Sequence, residues 1–300
     1  MSPVYAAYSL TISTPFTCPT LTPLRGIERP SLVVREASVP QHLSRAEVRD
    51  SAWDAAPGLF LYRGGVRGGR WLVEHGDVLF EPNAQADQAV LARQFAERIL
   101  PAVLSQRGFM VLHASAVASK AGVVVIGGES GAGKSTTLAG LIARGCRMVS
   151  DDVTAVRASH LQGRVEVVPG APQAHLTADA AVGLGYALDP TEFQPTRRMK
   201  ATISTRDSMA AGPGLMLGFY LLTTSRRDRV EAQELCGAMK LAFLQDSLYG
   251  PALSADQLSN FRLVETIVTS VPFVRVDRPA TRWSLREVTD LIMSGIAEFS

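Results

Sequence analysis

Apolar positions along the chain change their spacing several times and so predict alternating strands and helices. Over 25–82, short apolar runs between Gly-rich turns are typical of β-strands, and Arg63–Arg70 is interpreted as a hairpin turn. Over 85–107, apolar residues recur at three- and four-residue steps, which predicts a helix that Pro101 kinks or divides. Residues 1–24 carry no charged residue and contain four prolines, so we expect an extended or loosely ordered arm there.

The rest of the chain alternates between apolar runs of strand length and helical periodicity. Polar, poorly patterned residues over 177–212 predict a mobile loop. The predicted strands are Phe109–Val117, Gly122–Ile126, Arg147–Ser150, Val153–Val156, Val165–Val168, Leu215–Leu222 and Pro272–Val276, and the predicted helices are Thr136–Arg144, Gln233–Leu248 and a last helix with a capping box at Ser284–Glu287. This pattern predicts an α/β domain over 85–300, a β-rich subdomain over 25–84 and the arm over 1–24.

Composition narrows the setting in which the protein acts. Of its 300 residues, 46% are hydrophobic, which is enough for a substantial core. The formal net charge of +2 is too small to argue for a nucleic-acid partner. The apolar stretch at 208–225 is broken by Gly212-Pro213-Gly214, so we expect a buried strand there and no membrane partner. The three cysteines fit neither a zinc spacing nor a disulfide framework, which predicts a cytoplasmic location.

The segment from 128 to 135 matches the phosphate-binding pattern G-x-x-x-x-G-K-[ST] in full. An apolar strand enters it and a helical segment leaves it, which is the context that the motif requires. The glycines allow backbone N–H groups to point inward at phosphates, and the following helix adds a partial positive charge. Lys134 is expected to reach the β- and γ-phosphates and the Ser135 hydroxyl to ligate Mg²⁺. The residues predicted to bind ATP are Gly128, Glu129, Ser130, Gly131, Ala132, Gly133, Lys134, Ser135 and Thr136.

The motif alone predicts nucleotide binding and does not separate kinases from ATPases or GTPases. Asp151 and Asp152 follow the motif in the sequence, at the end of a short apolar strand. Two adjacent carboxylates can divide the work, one serving the metal and the other accepting a proton from an attacking hydroxyl. A solvated turn or a helix cap is the structural alternative for this pair.

Two further features could join the phosphate loop. His113 precedes the loop within an apolar run, where a histidine is more often a core residue than a catalytic one. Arg197, Arg198 and Lys200 form a basic cluster that either offsets charge on the transferring phosphoryl group or is an ordinary solvated stretch.

His113, the phosphate loop and the Asp pair together resemble the C-terminal catalytic domain of the HPr kinase/phosphorylase family. The phrases Leu112–Val117 and Ser150–Asp152 are especially similar to shorter HPr-kinase-related proteins. The resemblance is strong over about 107–157 and implies a fold of the phosphoenolpyruvate-carboxykinase type. It implies Asp152 as general base, Asp151 as support of the metal site and His113 near the transferring phosphate.

The resemblance also implies a substrate class. Some of the shorter relatives accompany lasso-peptide biosynthesis and phosphorylate a precursor peptide on serine. We therefore expect an ATP- and Mg²⁺-dependent kinase acting on a Ser (or Thr) hydroxyl of a peptide or protein, a function compatible with a homo-oligomer. Two alternatives stay open: a kinase for a small hydroxylated metabolite such as a free amino acid, and a non-catalytic ATP-binding regulatory module.

Overall fold

The chain folds into two compact units. The first comprises Met1–Val111 with Leu248–Arg262, and the second comprises Leu112–Ser247 with Leu263–Ser300. The computed structural model describes residues 2–26, 29–186, 193–194, 200–249 and 257–298. The first unit therefore extends beyond the predicted boundary at residue 84 and includes the helical segment over 85–107, which was predicted as part of the α/β domain.

The first unit contains a nine-stranded sheet. Its strands are β1 (Val4–Ala7), β2 (Leu10–Ser13), β3 (Thr22–Leu24), β4 (Leu32–Glu36), β5 (Val48–Arg49), β6 (Trp53–Ala56), β7 (Leu59–Arg63), β8 (Gly69–Glu74) and β9 (Asp77–Pro82). They are ordered β3-β1-β2-β4-β9-β8-β7-β6-β5. The segment predicted as an arm thus supplies the first three strands, with β3 at the edge of the sheet. This corresponds to the extended alternative of the prediction rather than to a loose arm.

A π-helical turn joins two consecutive α-helices of this unit. Helix α1 (Gln88–Gln94) is followed by π-helical residues Phe95–Ile99 and then by α2 (Leu100–Gln106). The Asp87 carboxylate caps α1 by accepting from the backbone N–H groups of the next turn. Pro101 lies in the first turn of α2, and the helical conformation continues through it, since the N–H of Leu100 donates to the carbonyl of Phe95. The irregularity predicted at this proline therefore takes the form of a π-helical turn before it rather than a break at it.

The Gly-rich turn after β7 receives a buried glutamine. The hairpin predicted at Arg63–Arg70 forms between β7 and β8. The side chain of Gln94 donates to the carbonyl of Gly64 and accepts from the indole N–H of Trp71. A β-carbon at Gly64 or Gly68 would come within 2.3 Å or 2.1 Å of the Gln94 amide, so only glycine leaves room for it.

The second unit is built on a mixed sheet. Strand β10 (Met110–Leu112) lies where the chain passes from the first unit to the second. The strands that follow it are β11 (Ser115–Ala118), β12 (Val123–Gly128), β13 (Arg147–Ser150), β14 (Thr154–Ala158), β15 (Val165–Val168), β16 (Gln173–Thr177), β17 (Phe193–Gln194), β18 (Lys200–Ser204), β19 (Gly214–Ser225), β20 (Glu231–Leu235) and β21 (Phe273–Pro279). The order β14-β15-β19-β12-β11-β13 is extended by β21 beside β19 and β20 beside β21, while β16, β18 and β17 form a separate sheet.

Over the described residues, five further α-helices follow along the chain, of which the second and the fourth were not predicted and the others begin at residues other than those predicted. They are α3 (Lys134–Ala143), α4 (Ala178–Gly183), α5 (Ala238–Asp246), α6 (Gln257–Ser270) and α7 (Leu285–Ala297). The helix predicted from Gln233 is wrong at its start, because Glu231–Leu235 pairs with β21 as a strand. The strand predicted over Phe109–Val117 is interrupted between β10 and β11, and the loop predicted over 177–212 contains α4 and β18.

Strand directions bring the ends of five strands to one edge of this sheet. Strands β12, β19 and β21 run parallel to one another. Strand β11 runs antiparallel to β12 and to β13. The carboxyl ends of β12, β13, β19 and β21 therefore lie at the same edge as the start of β11. This is the edge at which open α/β sheets bind ligands.

Helix α3 packs closely against α7. A β-carbon at Gly140 would lie 2.9 Å from the Leu285 side chain, so glycine allows the two helices to approach. The predicted capping box at the start of α7 is wrong in its contacts: Ser284 makes no side-chain cap bond, and Glu287 pairs with Arg282 instead. Within the described ranges, no helix combines the length and apolar character needed to cross a bilayer.

Candidate active site

The predicted phosphate loop joins β12 to α3 with the backbone that the motif requires. Gly128, Gly131 and Gly133 have positive φ angles of 133°, 90° and 102°. These values are accessible to glycine and disfavoured for residues with a β-carbon. The first intrahelical bond of α3 runs from the N–H of Thr137 to the carbonyl of Gly133 at 2.8 Å. The preceding N–H groups of the first turn have no intrahelical partner and form the helix end suited to an anion.

Lys134 lies under the loop with its ammonium group held by three partners. Its Nζ donates to the carbonyl of Gly128 at 2.7 Å and to that of Glu129 at 3.3 Å. The third partner is Nε2 of His113, 3.2 Å away. Burial lowers the pKa of Lys134, against the opposing effect of the nearby carboxylates Asp152 and Asp151.

His113 connects Lys134 to Asp152. Because an ammonium only donates, Nε2 of the imidazole accepts from Lys134, which leaves the ring proton on Nδ1. That nitrogen lies 3.2 Å from Oδ1 of Asp152. Burial lowers the pKa of His113, and the charges of Lys134 and Lys200 act in the same direction while Asp152 opposes them. The neutral, Nδ1-protonated ring therefore links a cation to a carboxylate.

Asp151 is held at the end of β13 by three donors. Its Oδ1 accepts from the hydroxyl of Ser115 at 2.6 Å and from that of Ser135 at 3.0 Å. Its Oδ2 accepts from the backbone N–H of His175 at 2.9 Å. The side chain is therefore fixed in position against the phosphate loop, rather than solvated as in the structural alternative.

Asp152 occupies a strained position between Asp151 and Val153. Its φ angle is +67°. The N–H of Val153 donates to the carbonyl of Asp151 at 2.8 Å, which closes a tight turn around Asp152. Turns of this kind with positive φ are rare and strained, and strained residues cluster at functional sites. The turn directs the two neighbouring carboxylates to different partners: Asp151 contacts Ser135 and Asp152 contacts His113.

The donor set next to the loop fits Mg²⁺. The Ser135 hydroxyl and the Asp151 carboxylate are both oxygen donors and lie 3.0 Å apart. Among the residues that the structure describes, no cluster of three or more His, Cys, Asp or Glu side chains could hold a metal ion. Mg²⁺ is commonly held by one or two carboxylates together with water and substrate phosphates, so a pair of donors is sufficient.

Arg278 braces the loop from the end of β21 and was missed by the sequence analysis. Its Nε donates to the carbonyl of Ala132 at 2.6 Å and its Nη2 to that of Gly131 at 3.2 Å. Burial lowers its pKa. No motif marks this arginine, which is far from the loop in the sequence. It reaches the loop because β21 and β12 end at the same edge of the sheet.

A pocket of about 470 Å³ lies over the loop. Its lining contains His113, Ser130, Gly131, Gly133, Lys134, Ser135, Thr136, Asp152, Lys200 and Arg278, together with His175, Thr177, Asp179, Ala180, Ala280, Thr281, Arg282 and Trp283. Most of the predicted site residues therefore come together. Gly128, Glu129 and Ala132 contribute backbone carbonyls to the contacts of Lys134 and Arg278. Arg197 and Arg198 lie outside the described residues.

Comparisons with known proteins found likenesses among solved structures only. No protein-family model matches the chain, and no curated protein matches it. Among solved structures, the chain is similar to the HPr(Ser) kinase/phosphatase from Coxiella burnetii, with 13% sequence identity, 63% of this chain and 94% of that chain covered, and a TM-score of 0.31.

Proposed function

We propose that the protein is an ATP-dependent kinase that transfers the γ-phosphoryl group to a Ser (or Thr) hydroxyl of a peptide or protein. The observation that carries this proposal is the position of Asp152. It is bonded to His113, which is bonded to Lys134 of the phosphate loop. A general base and a phosphate-binding lysine joined by one imidazole suit hydroxyl phosphorylation, whereas a module that only binds nucleotide needs no base.

Each residue has a distinct role in this proposal. The N–H groups of the loop and the first turn of α3 bind the phosphates, and Lys134 offsets charge on the transferring group. Ser135 and Asp151 would hold Mg²⁺, which would supply positive charge to offset that of the phosphate groups. Asp152 accepts the proton of the acceptor hydroxyl. His113 keeps Asp152 oriented toward the loop and, because it is neutral, adds no charge of its own.

We propose a peptide acceptor, such as a lasso-type precursor ending in serine, because of the resemblance described for the sequence. The test incubates the protein with γ-labelled ATP, Mg²⁺ and either serine-terminated peptides or free hydroxy amino acids. Label in the peptide supports the proposal. Label in the free amino acid alone replaces the peptide kinase by a small-molecule kinase.

The role of Asp152 is tested by Asp152→Asn, which keeps the shape of the side chain and removes its basicity. We expect kcat to fall by at least about 100-fold while the dissociation constant of ATP stays within about threefold. The matched control is Asp246→Asn, an exposed carboxylate outside the pocket. If label transfer survives Asp152→Asn, Asp152 is not the general base. If the protein binds ATP through Lys134 but transfers label to no hydroxyl, the non-catalytic regulatory module is favoured.

A further inference from the structure

Trp283 is an exposed aromatic side chain on the wall of the phosphate-loop pocket. It is 55% exposed, whereas Trp71 is fully buried. Among the described residues that line this pocket, it is the only Phe, Tyr or Trp. Tryptophan presents a large apolar ring that loses favourable burial when it is left in water. A ring in this position therefore favours the binding of a ligand with an apolar, flat surface.

The backbone on both sides of Trp283 is anchored. Arg282 donates from Nη2 to the carbonyl of Asp228 at 2.8 Å and to the Glu287 carboxylate at 2.9 Å. Ser284 is 5% exposed, and its carbonyl accepts the first bond of α7. Gly183, the last residue of α4, lies beside the six-membered ring, where a β-carbon would be 3.4 Å from Cη2 and Cζ2. The indole is thus presented by a fixed segment, which reduces the ordering cost of binding.

We infer that Trp283 forms the base subsite of this pocket and stacks on the purine ring of the bound nucleotide. This inference rests on the proposed function, because it requires the triphosphate to lie on the loop. The phosphate end of the pocket is formed by backbone N–H groups, Lys134 and Arg278, none of which offers an aromatic face. Every nucleobase has a π-face, and stacking on an aromatic side chain contributes to binding whether or not the base edge is read.

The side chains that line the pocket also differ in chemistry between the end assigned to the nucleobase and the end at which the phosphoryl group reacts. Asp152, His113 and Lys200 are charged or titratable groups suited to the acceptor hydroxyl and the phosphates. The segment Ala280–Trp283 follows the loop-bracing Arg278 along the chain and contributes two small side chains and the indole of Trp283 to the lining, while the guanidinium of Arg282 is paired with Glu287. A hydroxyl acceptor must reach Asp152, so the aromatic wall is assigned to the nucleoside.

The test compares ATP with inorganic tripolyphosphate, which keeps the phosphates and lacks the base. Trp283→Ala is expected to weaken ATP binding by roughly 5- to 100-fold and to leave tripolyphosphate binding unchanged within about twofold. Trp283→Phe keeps a π-face and is expected to lose less than about fivefold. Phe261→Ala is the control, since Phe261 is 66% exposed and does not line the pocket; it is expected to bind both ligands as the wild type does.

Fluorescence gives a second readout. In a Trp53→Phe background, the remaining indoles are the exposed Trp283 and the buried Trp71, so ATP is expected to quench the emission of Trp283 and tripolyphosphate to leave it unchanged. If Trp283→Ala weakens the binding of ATP and of tripolyphosphate equally, or weakens neither, the base subsite is overturned. The nucleotide site itself stands in that case, provided that the wild type binds ATP in a manner that depends on Lys134. Failure of the wild type to bind both ligands, or binding that Lys134→Ala leaves intact, overturns the nucleotide site itself and the subsite with it.

Discussion

Nζ of Lys134 lies 3.2 Å from Nε2 of His113, and the same ammonium group also donates to two carbonyls of its own loop. All three of its N–H bonds are therefore used before any phosphate binds. A phosphate contact requires Lys134 to give up one of these partners. The weakest candidate by distance is the carbonyl of Glu129, at 3.3 Å. The bond to His113 can then persist when the loop is occupied.

The first prediction concerns the pH dependence of stability. Burial holds the pKa of His113 below its ordinary value of 6.5. Between that value and the lower pKa of the folded protein, the unfolded chain binds more protons than the folded chain. The free energy of unfolding therefore falls as the pH falls below 6.5. We expect the wild type to lose more thermal stability than His113→Gln between about pH 7.5 and about pH 5.5.

The measurement is the melting temperature of both proteins across this pH range. His160→Gln is the control, because the His160 side chain is 85% exposed and lies outside the pocket; its pH profile should follow that of the wild type. Equal pH slopes for the wild type and His113→Gln would show that His113 is not held neutral by its surroundings.

The second prediction concerns the metal. Ser115 and Ser135 both donate to Oδ1 of Asp151, but only Ser135 lines the pocket. If Ser135 is a Mg²⁺ ligand, Ser135→Ala should raise the Mg²⁺ concentration for half-maximal activity by about tenfold or more, since a metal ligand is lost. Ser115→Ala removes only a hydrogen bond that positions Asp151, so it should raise the Mg²⁺ concentration for half-maximal activity by about threefold or less. Similar Mg²⁺ requirements in the two variants would contradict the assignment.

The third prediction concerns Arg278, whose guanidinium occupies the carbonyls of Gly131 and Ala132. Without it, these carbonyls lose the contact that keeps the loop in its folded shape. We expect Arg278→Ala to raise the dissociation constant of ATP by about tenfold, which corresponds to roughly 1.4 kcal/mol. Arg278→Lys should recover only part of this, because a lysine cannot reproduce the planar fork.

Arg275→Ala is the matched control for Arg278. It lies on the same strand and pairs with Asp277, away from the phosphate-loop pocket. Isothermal titration with ATP distinguishes the two positions. An ATP affinity that Arg278→Ala leaves at the wild-type value would show that the loop keeps its shape without the brace.

The sequence predicted the parts of the site that are local in the chain. The phosphate loop, the strand before it and the helix after it follow from glycine positions and apolar runs that are contiguous in the sequence. The Asp pair was found because it follows a short apolar strand. Ser115, His175 and Arg278 were not found, because their contacts depend on which strands are neighbours in the sheet. Pairing of β11 with β13 brings Ser115 to Asp151, and no local pattern contains that pairing.

The errors in the fold prediction have the same origin. Gln233–Leu235 has helical character in isolation, but pairing with β21 makes it a strand, as tertiary context often overrides propensity. The capping box at Ser284 has the right residue types. Arg282 offers Glu287 a charged partner, and that ion pair replaces the expected bond to the helix backbone.

The last prediction concerns the stability of the first compact unit. Gln94 is 7% exposed, and its side chain satisfies the indole N–H of Trp71 at 3.1 Å and the backbone N–H of Gly69 at 3.3 Å. Gln94→Ala leaves both of these buried donors without an acceptor. Each unsatisfied donor costs about 1–3 kcal/mol, so we expect the free energy of unfolding of this unit to fall by about 2–6 kcal/mol.

The measurement is urea unfolding followed by the emission of Trp71, in a background carrying Trp53→Phe and Trp283→Phe so that the signal reports this unit. The control is Arg93→Ala, an exposed neighbour on α1, which should change the free energy of unfolding by no more than about 0.5 kcal/mol. If Gln94→Ala matches this control, the donors of Trp71 and Gly69 have found another acceptor. In that case the glycines at 64 and 68 are not there to admit this side chain.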